Sequence, residues 1–163
     1  MKKKLKLLAG IAVILILILL AGFAFYVRDY YHADPSVERY MGSLDNVYTE
    51  EIPEGLFLDG PGEDRALVFY PGGKVEYRAY LPLCHKIAAK GIDCFLVEMP
   101  CNLAILDIDK ADSVFGNYSY SEWIIGGHSL GGAAAALYAA GHREQVQGLI
   151  LLGAYPTKQL GKD

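Results

Sequence analysis

The run Ile125-Gly126-Gly127-His128-Ser129-Leu130-Gly131-Gly132 constrains this chain more than any other stretch. Residues 123–126 before it are short and apolar, as a strand would be. Residues 130–140 after it are alanine-rich, as a helix would be, and Gly141 closes them. Between the two lies G-x-S-x-G, as Gly127-His128-Ser129-Leu130-Gly131, and the strand–turn–helix context gives that pattern its meaning. A serine on so sharp a turn needs strained backbone angles, and side chains two residues to either side would collide with the strand and the helix. Glycine at 127 and 131 removes them. The turn lifts the hydroxyl clear of the sheet and sets it at a helix N-terminus, where the dipole favours a developing negative charge. The Leu130 N–H is then placed to donate to an oxyanion. The competing reading is a glycine-rich turn whose serine merely caps the helix. Strand, helix and a second glycine on each side together weigh against it.

Around this turn, short apolar runs alternate with helical periodicity. Residues 47–52 and 55–58, joined by Pro53-Glu54, read as a hairpin. Residues 66–70 and 94–97 are continuous apolar runs, as expected of strands covered on both faces. Between them Tyr77, Tyr80, Leu81, Cys84, Ile87 and Ala88 recur at three- and four-residue steps. That predicts a helix starting close before Pro82 and ending at Gly91. Residues 102 to about 115 read as a weaker helix with Asn102 at its N-cap, and 146–152 as a fourth buried strand. Such alternation predicts an α/β fold, a mostly parallel sheet with flanking helices. Gly72-Gly73-Lys74 lacks the spacing and the Ser/Thr of a phosphate loop, and no G-x-G-x-x-G opens a helix.

From about residue 66 to residue 155 the chain resembles the α/β-hydrolase superfamily. Gly127-His128-Ser129-Leu130-Gly131-Gly132 is similar to that family's nucleophile elbow. The run Phe69-Tyr70-Pro71-Gly72-Gly73-Lys74-Val75, with Ala79-Tyr80-Leu81-Pro82-Leu83 after it, resembles the family's third strand and oxyanion loop. Pro71-Gly72-Gly73 stands where many members have His-Gly-x. Residues 148–155 are similar to the sixth strand. The resemblance implies Ser129 as nucleophile, with the N–H groups of Gly73 and Leu130 as oxyanion donors. It implies attack on an ester or similar acyl bond of a small molecule, with no metal or cofactor required.

A serine hydroxyl is a weak nucleophile until a histidine takes its proton and an acid orients that histidine. In the resembled family the order is Ser, then Asp or Glu, then His, each after a later strand. Asp163 comes too early to be that acid. His128, beside Ser129 in the strained turn, is expected to point away and pack. His142 follows the helix, His85 lies on the helix after the oxyanion loop, and His32 sits near the N-terminal apolar run; none is expected as the base. The expectation is therefore the N-terminal portion of a longer serine hydrolase. The alternative is a non-catalytic anchored protein, a binding module or a relic on the same fold.

The N-terminus carries a separate signal. Lys2, Lys3, Lys4 and Lys6 precede residues 7–27, which hold no charge. A helix of that length spans about 30 Å, the hydrocarbon thickness of a bilayer. Phe23, Phe25, Tyr26, Tyr30 and Tyr31 crowd its far end, where aromatics suit the membrane interface. The expected organisation is a basic cytoplasmic N-terminus at 1–6 and a transmembrane signal anchor at 7–27. A juxtamembrane stalk at 28–45 and a partial α/β-hydrolase domain at 46–163 follow, outside the cell membrane. A cleaved signal peptide with Gly22-Phe23-Ala24 as its small-x-small site is the alternative.

Composition narrows the partners. Without the four leading lysines, eleven Lys and Arg face nineteen Asp and Glu, and the net charge falls from −4 to −8. An acidic domain argues against a nucleic-acid partner, which needs a clustered basic face. Cys84, Cys94 and Cys101 fit small buried hydrophobes better than a zinc site, with a Cys94–Cys101 bridge left open. Asp107, Asp109 and Asp112 would be scattered around the 102–115 helix as a solvated face, and Glu98 is a candidate pocket residue.

Overall fold

The computed structural model describes residues 2–156; Asp163 lies outside them. The chain divides into two units, Met1–Tyr30 and Tyr31–Asp163. The first is the helix α1 (Lys2–Arg28), which has no buried residue. Among the described residues it is the one helix long and apolar enough to cross a membrane.

Seven strands form one sheet in the second unit: β1 (Gly42–Leu44), β2 (Val47–Ile52), β3 (Gly55–Asp59), β4 (Arg65–Tyr70), β5 (Asp93–Val97), β6 (Glu122–His128) and β7 (Gly148–Leu152). Their order across the sheet is β1-β2-β3-β5-β4-β6-β7. The β5–β4, β4–β6 and β6–β7 pairs are parallel, while β1 to β3 run antiparallel and join at β5. The chain moves from β4 to β5 on one side and then returns past β4 to β6. The strand order therefore reverses between β4 and β6, the place where open α/β sheets bind ligands beyond their carboxyl ends.

Side-chain alternation explains why this sheet is covered on both faces. Ala66, Val68 and Tyr70 of β4 pack with Phe95 and Val97 of β5 on one face, against Ala134, Ala135 and Tyr138 of α4 (Leu130–Gly141). Leu67 and Phe69 pack with Cys94 and Leu96 on the other, against Leu81, Cys84 and Ala88 of the helix α2 (Leu81–Ala88). Burying a Leu or Phe side chain is worth about 1.5–3 kcal/mol. A one-residue slip would exchange the two sets, so the register is strongly specified. At the far end β7 is half-buried along its length.

Three expectations need correction. The segment expected as a stalk is ordered against the sheet from Tyr31 onward. A 3-10 helix at Pro35–Tyr40 buries Val37, and β1 pairs with β2 through a turn whose Asp45 and Asn46 both have positive φ. Two positive φ values suit the twist of a two-residue hairpin loop, and Asp and Asn tolerate them. The helix expected over 102–115 is instead three single 3-10 turns, followed by α3 (Ala111–Asn117). Extended backbone at Leu103 and non-helical backbone at Asp107 break it, and the buried Tyr70 hydroxyl sets where α3 begins. That hydroxyl donates to the Ile108 carbonyl at 2.7 Å and accepts from the Ala111 N–H at 3.0 Å. Asn102 is no N-cap: its φ is +54° and its carbonyl accepts from the Lys74 N–H. Lastly, α2 ends at Ala88, and Gly91 at φ +85° finishes the turn beyond it.

Candidate active site

Strand β6 delivers Ser129 to the carboxyl edge of the sheet, and α4 starts one residue later. Ser129 has φ +50° and ψ −118°, a region that L side chains rarely occupy. It is exposed. Its N–H donates to the Leu152 carbonyl at 2.9 Å, which ties the turn to the end of β7. Its side chain makes no capping bond to α4, so a helix cap does not account for the serine.

The glycines around it are required by space. A Cβ on Gly127 would lie 2.6–2.7 Å from Gly131 and Gly132 backbone atoms. On Gly131 it would fall far inside contact with the Tyr70 and Pro71 carbonyl oxygens, and on Gly132 it would lie 2.6 Å from the Ala154 Cβ. The register explains the crowding. Tyr70 stands opposite Gly127, so the loop leaving β4 runs directly beside the turn leaving β6.

That loop is Pro71-Gly72-Gly73-Lys74. Gly73 lies against Leu130, where an added Cβ would come within 2.9 Å of its side chain. The residues on either side of the Gly73 N–H are pinned. The Gly72 N–H donates to the Tyr80 hydroxyl at 3.1 Å, the Val75 N–H to the Gly72 carbonyl at 3.2 Å, and the Lys74 N–H to the Asn102 carbonyl at 2.8 Å. A strap from the start of the unit holds the loop's far side. The Tyr31 N–H donates to the Lys74 carbonyl, the Glu76 N–H to the Tyr31 carbonyl, and the Ala33 N–H to the Glu76 carboxylate. Burial pushes the Tyr80 hydroxyl above its ordinary pKa, partly offset by the Gly72 N–H, so the phenol stays protonated.

The structure thus brings Gly73, Gly127, His128, Ser129, Leu130 and Gly131 together. The four histidines face other partners. His128 Nδ1 lies 2.9 Å from the Tyr80 hydroxyl. His142 stacks on Tyr138 with centroids 4.0 Å apart. His85 is buried, with Nε2 against the Leu44 carbonyl at 3.1 Å, and His32 faces the Glu76 carboxylate. Glu98 is exposed just past β5, with β4 between it and Ser129. The cysteines are free thiols, Cys84 and Cys94 buried and Cys101 exposed. Asp112 accepts from the Tyr138 hydroxyl, and no group that could hold a metal ion occurs among the described residues. The sequence puts Tyr80 on a helix face within the run that resembles the oxyanion loop, and His128 in the elbow with a packing role, but it does not join the two. Their link spans 48 positions, and no local pattern reveals it.

A family model described as the alpha/beta hydrolase family matches residues 66–163. No curated protein matches the chain. Among solved structures, the dienelactone hydrolase of Anabaena variabilis aligns with a TM-score of 0.56 and 15% identity, over 65% of this chain and 63% of its own. A bacterial heroin esterase aligns at 0.50 and 19%, over 67% and 45%. An epoxide hydrolase from Vigna radiata aligns at 0.52 and 11%, over 69% and 40%. At these identities the likeness is one of fold. The chain spans less than two thirds of the length of each.

Proposed function

The chain belongs to the alpha/beta hydrolase family, and on that premise we propose that it is a serine hydrolase acting on an ester or similar acyl bond of a small molecule. The supporting observation is the placement of Ser129. It is exposed at a positive-φ turn between β6 and α4 and its side chain makes no capping bond to the helix it precedes, with Gly73 packed against the next residue.

In the proposed reaction Ser129 Oγ adds to the acyl carbon while a base removes its proton. The electron pair moves to the carbonyl oxygen, which the Gly73 and Leu130 N–H groups hold. One such donor lowers the barrier by about 3–4 kcal/mol, and the N-terminus of α4 adds its dipole. Collapse of the adduct expels the alcohol, which takes up the proton, and leaves the acyl group on Ser129. Water then adds by the same route and releases the acid. His32, His85, His128 and His142 each face another partner, so the proposal assigns the base and its orienting acid to residues outside 2–156. No metal or cofactor enters this chemistry.

We further propose that α1 is an uncleaved signal anchor through residues 7–27, with residues 1–6 cytoplasmic and the hydrolase domain outside the membrane. The lysines before the run and its uncharged length support this. Terminal sequencing of the protein from its own membranes tests it. An intact N-terminal helix supports the anchor, and a new terminus after Ala24 overturns it in favour of a secreted form.

The activity is tested with protein from its own cells on short-chain p-nitrophenyl esters. Hydrolysis that disappears in Ser129→Ala is expected. Hydrolysis that survives the substitution would overturn Ser129 as the nucleophile, and none across the series would support the non-catalytic binding reading.

A further inference from the structure

Two loops supply the proposed oxyanion donors, and one side chain joins them. The Tyr80 hydroxyl accepts from the Gly72 N–H at 3.1 Å and stands 2.9 Å from Nδ1 of His128, the residue before Ser129. We propose that Tyr80 and His128 are positioning residues that aim the Gly73 N–H at the acyl oxygen, an inference that rests on Gly73 serving as an oxyanion donor.

The geometry of one peptide carries the argument. A trans peptide is planar, so the Gly73 N–H points opposite to the Gly72 carbonyl. The Val75 N–H fixes that carbonyl at 3.2 Å, and the Tyr80 hydroxyl fixes Gly72 from its other side. Glycine leaves the backbone at 72 and 73 the freedom to turn, so aim has to come from such partners. A side chain at Gly72 would have to displace the Tyr80–His128 pair. An added Cβ would lie 2.7 Å from the Tyr80 hydroxyl and 2.8 Å from His128 Nδ1.

The hydroxyl has a single proton. Because it already accepts from Gly72, the assignment that uses that proton leaves Nδ1 of His128 unprotonated as its acceptor and puts the ring proton on Nε2. The pair is held sideways as well. Tyr80 packs on Phe69 with centroids 5.2 Å apart, and the Nε2 edge of His128 faces Gly153 beyond β7. His128 thereby links the oxyanion loop to the serine's own turn. Any shift of one loop is passed to the other through two hydrogen bonds.

The test compares full-length wild type with Tyr80→Phe, His128→Leu and His128→Asn, the last keeping an acceptor near the place of Nδ1. One reading is the rate at which a fluorophosphonate labels the folded protein. The other is amide exchange at Gly72 and Gly73, which needs no reactive serine. Tyr80→Phe and His128→Leu are expected to slow labelling about tenfold or more, the scale of a misaimed oxyanion donor, and to speed exchange at Gly72. His128→Asn is expected to recover most of both. Unchanged exchange in Tyr80→Phe overturns the positioning role whether or not the serine labels. So does a folded Tyr80→Phe that labels at the wild-type rate. A merely structural role would lower the melting temperature and leave the labelling rate of the folded fraction untouched. If wild type never labels while the exchange pattern holds, it is the serine-nucleophile reading that fails, and the catalytic half of this inference falls with it.

Discussion

Gly131 packs so closely on the Tyr70 carbonyl oxygen that a Cβ there would overlap it. The first turn of α4 therefore rests directly on the end of β4, just after the turn that carries Ser129 from β6. Gly131→Ala is expected to destabilise the domain by about 1–3 kcal/mol, the range for overpacking against backbone. Gly116→Ala is the control, because nothing lies within 4 Å of a Cβ at that exposed position in α3. It is expected to be neutral or to stabilise by up to about 1 kcal/mol. Chemical denaturation of the two variants decides the matter, and equal midpoints would contradict the packing account.

Ser129→Ala is expected to leave stability within about 0.5 kcal/mol of wild type, since the exposed side chain makes no capping bond to α4. A loss near 1 kcal/mol or more, the usual cost of deleting a helix cap, would mean that the serine serves the helix.

Asp93 carries a pH dependence of its own. It is 3% exposed, and burial pushes its carboxyl above the ordinary value, against the lowering effect of hydrogen bonds from Tyr120 and Gly60. The folded state then binds the proton more tightly than the unfolded one. The stabilisation from this group is full below its unfolded value of about 3.9 and declines as pH rises to the raised folded value. Asp93→Asn is expected to remove that decline, so the difference in stability between variant and wild type should widen in the variant's favour above about pH 4. A difference that stays constant from pH 3 to about pH 7 would contradict it.

The strap across the oxyanion loop hangs on Glu76, which accepts the Ala33 N–H at 2.9 Å. Glu76→Ala is expected to speed amide exchange at Ala33 and Tyr31, with a cost to stability of about 1 kcal/mol for the lost bond. Glu76→Gln keeps an acceptor and is expected to fall between. Exchange that does not respond to either substitution would remove Glu76 from the strap.

The turn at Ser129 was legible because its demands are local. Glycine at 127 and 131, an apolar run before and an alanine-rich run after lie within about twenty residues of one another. Strands β4 and β5 were legible for a related reason: burial on both faces leaves an unbroken apolar run. What escaped was set by distant partners. The start of α3 follows from the Tyr70 hydroxyl, which reaches 38 positions along the chain to Ile108. Strand β1 has a local signal of its own, the Asp45-Asn46 pair, which suits a two-residue hairpin loop. Tyr80 obeyed the helical period of its neighbours, so its hydroxyl's task at Gly72 was hidden behind an ordinary pattern.

Ser129 is the proposed nucleophile, and everything else in the proposed reaction depends on it. Its most direct test is to treat the native full-length protein with a fluorophosphonate and map the adduct by peptide mass spectrometry. A single adduct on Ser129 is expected, absent in Ser129→Ala and absent after heat denaturation. An adduct on another residue, or none on folded protein, would contradict it.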